Sequence, residues 1–208
     1  MHRDVKELVR RGYDRAAESY LAARPMAGAD VALLAHLFDR LAPGAAVLDA
    51  GCGAGQPVTA ALRDAGLAAI GLDLSRRQLE LGRRDGAVTA PVQADLVALP
   101  FPAGTFAGVV SYYAIFHLPR AEHSAVFAEI RRVLRSRGLA LLCLGSRDVP
   151  EDLDPESWLG QPMYWSQFDA SRNLDLLRAA GFENLWQREV TDPMAHGRHL
   201  FVLVQVRG

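Results

Sequence analysis

The stretch Val47-Leu48-Asp49-Ala50-Gly51-Cys52-Gly53-Ala54-Gly55 constrains this chain more than any other. Val47 and Leu48 read as a buried strand. Gly51, Gly53 and Gly55 lack a Cβ, so the backbone can turn at positive φ and approach a ligand closely. Gln56-Pro57-Val58 then opens a helix, and Pro57 suits its first turn, where no N–H partner is needed. A strand, a glycine turn and a helix form a cofactor cradle at the carboxyl end of a parallel strand.

The spacing argues against a dinucleotide. That fingerprint is Gly-x-Gly-x-x-Gly, with a pyrophosphate on the helix N-terminus. Here the third glycine, Gly55, comes one residue early, and Gln56 stands where the fingerprint has glycine. Asp49 also places a carboxylate ahead of the turn. A carboxylate attracts a cationic ligand and repels a pyrophosphate.

The rest of the chain alternates strands and helices. Strands are expected at Ala45 to Asp49, Ala68 to Leu72, Val88 to Ala94, Phe106 to Tyr112 and Leu139 to Leu144. Helices are expected at 57 to 64, 76 to 83 (capped by Ser75) and 121 to 134, with a turn at Arg137-Gly138. Such alternation predicts an α/β fold with a parallel sheet. Two more helical stretches, 3 to 23 and 29 to 41, precede the first strand and are separated by Arg24-Pro25. After a helix at 169 to 180, strands at 184 to 190 and 200 to 206 follow without a helical crossover, so they should pair antiparallel. Residues 145 to 163 are polar and contain Pro150, Pro155 and Pro162. They predict a substrate-facing insertion or a short helix.

At 208 residues the chain fits one domain with a substantial core, and half of its residues are hydrophobic. A net charge of −1 gives no global attraction to nucleic acid or anionic membrane. No apolar run reaches the roughly 20 residues that cross a bilayer. The start of the chain lacks an apolar signal core, so a cytoplasmic protein is the expectation. Cys52 and Cys143, the two cysteines, are expected to be buried thiols. His196 and His199 have no accompanying set of carboxylates or cysteines, and no metal is expected.

The motif at 47 to 55 resembles motif I of the class I S-adenosylmethionine-dependent methyltransferases. Gly12-Tyr13-Asp14-Arg15-Ala16-Ala17-Glu18-Ser19-Tyr20 resembles an N-terminal pattern of their small-molecule members. The resemblance implies a Rossmann-like, mostly parallel seven-stranded sheet flanked by helices, with a C-terminal antiparallel hairpin. Within a single domain of 1–208, residues 1–41 would form a helical lid and 45–144 the cofactor core. Residues 145–208 would form the substrate-facing segment and edge hairpin. It further implies S-adenosylmethionine as cofactor and a small-molecule methyl acceptor as partner.

The resemblance also assigns roles. Asp49 would lie near the methionine portion of the cofactor, or simply form the turn at the strand end, and Gly51 and Gly53 would bring backbone next to the cofactor. Asp73, closing the second strand, would take the ribose diol, for which a carboxylate offers two acceptors; helix capping is its other reading. Asp95 would take the adenine amine, with Leu74 and Leu96 lining the ring, or would cap its loop. Ser111, at the end of the fourth strand, would face the methyl donor. Tyr13 and Tyr20 would cover the sulfonium or pack onto the sheet. His117 would be a general base or orient the acceptor, or would anchor its loop. The aromatic run 162 to 168 would line the acceptor pocket or pack in the core. The Asn-Pro-Pro-Tyr signature of amine methylation on nucleobases is absent, as is an aromatic-interleaved basic patch, so no nucleic-acid partner is expected. Two other readings remain: a protein that binds the cofactor without methyl transfer, and a nicotinamide oxidoreductase. The displaced glycine and Asp49 weigh against the second.

Overall fold

A computed structural model describes residues 2–195 and 197–208. The chain opens with α1 (His2–Ala23), followed by the single-turn helices α2 (Ala29–Ala32) and α3 (Ala35–Phe38). Then come β1 (Ala46–Ala50), α4 (Val58–Asp64), β2 (Ala68–Asp73), α5 (Arg76–Arg84), β3 (Pro91–Gln93) and β4 (Phe106–Ser111). A 3₁₀ turn (Ile115–His117) leads into α6 (Arg120–Val133), β5 (Leu134–Gly145), β6 (Val149–Trp158) and β7 (Gln161–Gln167). The chain closes with α7 (Ala170–Ala179), β8 (Phe182–Thr191) and β9 (Arg198–Val206).

Seven strands form one sheet in the order β3-β2-β1-β4-β5-β9-β8. The first five run parallel, and β9 pairs antiparallel with both β5 and β8. This is the expected Rossmann-like sheet with its terminal hairpin. Successive side chains of a strand point to opposite faces, and the strand sequences follow that rule. Leu48, Val109 and Leu142 pack on one face with Val126, Phe127 and Ile130 of α6. Val47, Val110 and Leu141 pack on the other with Leu34, Leu37 and Leu62. Burial on both faces explains why these strands read as continuous apolar runs.

Four details differ from the sequence expectation. The helix expected over 29 to 41 divides into α2 and α3, because i to i+3 bonds at Leu33, Leu34 and His36 tighten its middle. The third strand is shorter than 88 to 94, since only Pro91–Gln93 pair with β2. The turn at Arg137-Gly138 is a bulge inside β5: Arg137 takes φ +58°, and the register against β4 slips between Leu134 and Leu139. The stretch 145 to 163 holds neither a helix nor an unstructured insertion. It contributes most of a hairpin, β6 with β7, as a separate two-stranded sheet. Its loop is two residues, Leu159 and Gly160, at φ +51° and +72°. Both positive angles suit the right-handed twist of a hairpin.

Helix α1 straps the front of the molecule. Val9 packs on Met163 and Tyr164 of β7, and Ala17 packs on Ala54 and Leu81. Both cysteines are free and buried. Among the described residues, no helix is long and apolar enough to cross a membrane.

Candidate functional site

Strand order reverses between β1 and β4, and ligands bind open α/β sheets in the crevice at such a point. A cleft of about 940 Å³, counted out to its open mouth, lies there. Tyr13, Tyr20, Asp49, Gly51, Gly53, Asp73, Leu74, Asp95, Leu96 and His117 all line it. Ser111 is not among its lining residues. Its buried hydroxyl donates to the Ala50 carbonyl at 2.8 Å and ties β4 to β1.

The glycine turn is fastened to the neighbouring strand. The N–H groups of Gly51 and Cys52 donate to the Leu72 carbonyl at 2.7 and 2.9 Å. Gly51 has φ +85°, and a Cβ there would stand 2.3 Å from the Ala114 Cβ. Gly53 N–H donates to Asp73 Oδ2 at 2.8 Å, while Asp73 Oδ1 accepts from Ser75 N–H at 2.8 Å. One carboxylate thus couples the end of β2, the glycine turn and the start of α5. Burial raises the Asp73 pKa, opposed by these backbone N–H groups. Ser75 caps α5 by accepting from Gln78 N–H, as the sequence predicts. Asp14 of α1 in turn accepts from Ser75 Oγ at 2.6 Å.

Asp49 is 1% exposed at the end of β1. Its Oδ2 accepts from the Thr59 hydroxyl at 2.6 Å. Burial pushes its pKa up to about 7; the Thr59 hydrogen bond opposes the shift and the nearby Asp73 charge adds to it. Thr59 is neutral, and a buried carboxylate held only by a neutral donor favours a positively charged ligand.

Asp95 accepts from Val97 N–H at 3.1 Å and pairs with Lys6 Nζ of α1 at 2.6 Å. His117 is buried. Its Nδ1 lies 2.9 Å from the Tyr164 carbonyl, which can only accept, so Nδ1 carries the proton. Its Nε2 is then the acceptor, 2.8 Å from the Tyr13 hydroxyl. Burial lowers the His117 pKa to about 4, and the ring is neutral at physiological pH. This chain of bonds links α1, the 3₁₀ turn and β7.

Several site residues carry no signal in the sequence beyond local structure. Arg24 marks only a break there, yet it forms a buried ion pair with Asp30 at 2.5 Å. Its Nη1 is buried without a partner, and the residue lines the cleft. Gln56 also lines the cleft, with a buried, unpartnered Oε1. Tyr113 takes φ +55°, uncommon for a bulky residue, and donates its hydroxyl to Asp30 Oδ2 at 3.1 Å. Arg24 sits over its ring, 5.1 Å from the centroid. Lys6 joins them only because α1 crosses the cleft. A basic or amide side chain in a helix or turn carries no sequence signal for such tertiary pairing.

The residue His196 lies outside the described residues. His199 Nε2 is 2.8 Å from Asp192 Oδ2. Among the described residues no group of three or more His, Cys, Asp or Glu side chains is placed to hold a metal.

Residues 47–138 match the family model of the methyltransferase domain. Sterol 24-C-methyltransferase ERG6B of Gibberella zeae is 28% identical over 71% of this chain and 42% of its own length. Malonyl-[acyl-carrier protein] O-methyltransferase of Enterobacter lignolyticus is 36% identical over 70% of this chain and 57% of its own. The chain spans about half the length of the curated relatives it matches. Among solved structures, Burkholderia thailandensis 1,6-didemethyltoxoflavin-N1-methyltransferase, with bound 1,6-didemethyltoxoflavin and S-adenosylhomocysteine, superposes with a TM-score of 0.76 at 22% identity. That alignment covers 100% of this chain and 91% of the other, a likeness of fold.

Proposed function

We propose that this chain, whose residues 47–138 match a methyltransferase domain, is a class I, S-adenosylmethionine-dependent methyltransferase that transfers a methyl group to an oxygen, nitrogen or sulfur atom of a small molecule. The observation that carries the reading is the cleft at the β1/β4 switch point, with buried Asp49 on its wall and Asp73 bonded to the glycine turn.

The residues of the cleft fit S-adenosylmethionine. Asp49 and the unpartnered Gln56 Oε1 offer acceptors to an ammonium group, and the unpartnered Arg24 Nη1 offers a donor to a carboxylate. The Asp73 carboxylate is met by the backbone N–H groups of Gly53, Ser75 and Leu74 and, with about four acceptor sites, keeps capacity for a ribose hydroxyl. Asp95 keeps acceptor capacity for an adenine amine, and Leu74 and Leu96 line the same cleft. Tyr13 and Tyr20 meet edge to face at 5.6 Å and close the cleft from α1. We assign Ser111 a strand-tying role in place of a cofactor contact.

Bound there, the cofactor supplies an electrophilic methyl group. The chain's own work is alignment and exclusion of water. In this reading residues 1–41 cover the cleft, 45–144 hold the cofactor and 145–208 face the acceptor. His117 holds Tyr13: with its Nε2 accepting the phenol hydrogen bond, the Tyr13 oxygen can itself accept a hydrogen bond from the acceptor's O–H or N–H. His117→Ala should then lower turnover on the order of 100-fold through misplacement of Tyr13. Affinity for S-adenosylhomocysteine should stay within about twofold. Steady-state rates and calorimetry on one preparation check both halves.

Asp49 gives the binding a pH dependence. Its folded pKa is raised, so its contribution to stability is complete below the ordinary carboxylate range and is lost as pH rises to about 7. A cationic ligand binds the ionised form, so S-adenosylmethionine should bind about tenfold tighter at pH 8 than at pH 6. Titrations across that range should flatten in Asp49→Asn. A wild-type profile that is already flat would remove Asp49 from the ligand's surroundings.

A cytoplasmic location is part of the proposal, on the strength of the two free, buried thiols. So is the lack of a nucleic-acid partner, since the net charge of −1 provides no attracting field. The deciding experiment is calorimetric titration with S-adenosylmethionine and S-adenosylhomocysteine, with reduced nicotinamide dinucleotide as control. Micromolar binding of the first two alone supports the reading; binding of the nicotinamide alone would replace it.

A further inference from the structure

A second recess, of about 290 Å³ counted out to its open mouth, adjoins the cleft. Six aromatic side chains line it: Tyr13, Tyr20, Tyr113, Phe116, Trp158 and Trp165. Tyr13, Tyr20, Arg24, Tyr113 and His117 line both spaces, so the two meet at these residues. The hairpin β6–β7 supplies the tryptophans. Trp158 and Trp165 stand edge to face at 5.4 Å and 85°, and Trp165 lies 4.4 Å from the His117 ring. Tyr20 faces Trp158 at 6.0 Å. Rings set at such angles present both faces and edges inward, which suits offset and edge-to-face contacts with another flat ring.

Several polar groups on the wall of this chamber already have partners: Arg24 and the Tyr113 hydroxyl meet Asp30, and the Tyr13 hydroxyl meets His117. Trp158 Nε1 is buried without a partner. Buried donors are rarely left unpaired in native proteins, because each costs about 1–3 kcal/mol. Asp192 lines the chamber too, but its Oδ1 accepts from the N–H groups of Met194 and Ala195, and its Oδ2 bonds His199. Two residues of the chamber wall therefore keep an unpartnered donor, Trp158 at Nε1 and Arg24 at Nη1, while its carboxylate is already engaged and less open to a basic amine.

We propose that this chamber is the methyl-acceptor site and that its ligand is a planar aromatic molecule of one or two rings bearing a carbonyl-type oxygen. This rests on the methyltransferase reading for its placement beside the cofactor cleft. The class differs from the sterols named for several curated relatives, whose fused saturated rings are puckered and not flat. Selection comes from stacking between the walls, with the Trp158 N–H receiving the oxygen.

The test is calorimetry on the full chain, with and without S-adenosylhomocysteine. The probes are 2-acetylnaphthalene and its saturated counterpart 2-acetyldecalin. The carbon skeleton and the acetyl group are kept, and saturation removes the flat π system. The flat probe is expected to bind at least tenfold tighter. Trp165→Leu should lower that affinity at least tenfold by removing a wall. Trp158→Phe, which keeps a ring and drops the N–H, should lower it about three- to tenfold. Both variants should hold S-adenosylhomocysteine within twofold of wild type, which separates loss of the chamber from loss of the fold. Equal affinity for the two probes, no binding of either while S-adenosylhomocysteine binds, or no change in Trp165→Leu would each overturn the proposal and leave the cofactor reading standing. Failure of S-adenosylhomocysteine itself would fall on the cofactor reading, and the probe titrations in its absence would still decide the chamber.

Discussion

Asp73→Ala is expected to weaken binding of S-adenosylmethionine by about 100-fold or more. The carboxylate holds Gly53 N–H through one oxygen and Ser75 N–H through the other, both at 2.8 Å. Hydrogen bonds to a charged group contribute roughly 1.5–3 kcal/mol each, about twice a neutral pair. Alanine removes both of these and any bond to a ribose diol. The glycine turn would loosen, and the ribose would be left without its acceptor. Asp73→Asn separates the two effects. Its amide oxygen can still accept from Gly53 N–H, but it cannot accept at both ends. It should therefore fall between wild type and alanine. Calorimetry with S-adenosylhomocysteine reads the series, and wild-type affinity in the alanine variant would sink the assignment.

Gly51→Ala should cost stability as well as binding. The left-handed conformation at φ +85° costs an alanine roughly 1–2 kcal/mol. Its Cβ would also stand 2.3 Å from the Ala114 Cβ, so the loop after β4 must shift. Overpacking of this kind adds typically 1–3 kcal/mol. Together they predict a loss of about 2–5 kcal/mol, which in a chain of this size lowers Tm by roughly 10 °C. The double variant Gly51→Ala, Ala114→Gly removes the clash and keeps the strained φ. It should recover about half of the loss. Thermal melts of the four proteins form a cycle whose coupling isolates the steric clash. A single variant that melts with wild type would show that the turn does not need the glycine.

The parallel core was legible because its central strands β1, β4 and β5 are buried on both faces and read as apolar runs. Val47 and Leu48, or Val109 and Val110, serve opposite faces, and the sequence has no reason to alternate. The hairpin β6–β7 was not legible. Pro150, Pro155 and Pro162 argue against strands, and Leu159-Gly160 is not an Asn-Gly or Asp-Gly turn signal. A two-stranded ribbon has an outward edge on each strand, where a missing N–H costs little.

The acids at strand ends divide in the same way. Asp49, Asp73 and Asp95 were marked by their place after apolar strands and before glycine or a cap, a local signal. That Asp73 bonds Gly53 across 20 positions, or that Asp95 meets Lys6 across 89, has no counterpart in local spacing. His117 shows the limit most plainly. Its position in the loop after β4 was visible, but its tautomer is set by the Tyr164 carbonyl and its free nitrogen is taken by Tyr13.

By itself the sequence determined the α/β sheet, the glycine turn and the acids beside it, because strand burial, positive φ and helix capping are properties of neighbouring residues. Only the tertiary structure decided how α1 and the β6–β7 hairpin close over that turn. Their contacts join residues far apart in the chain, and what selects them is the fit of surfaces that exist only once the core has formed.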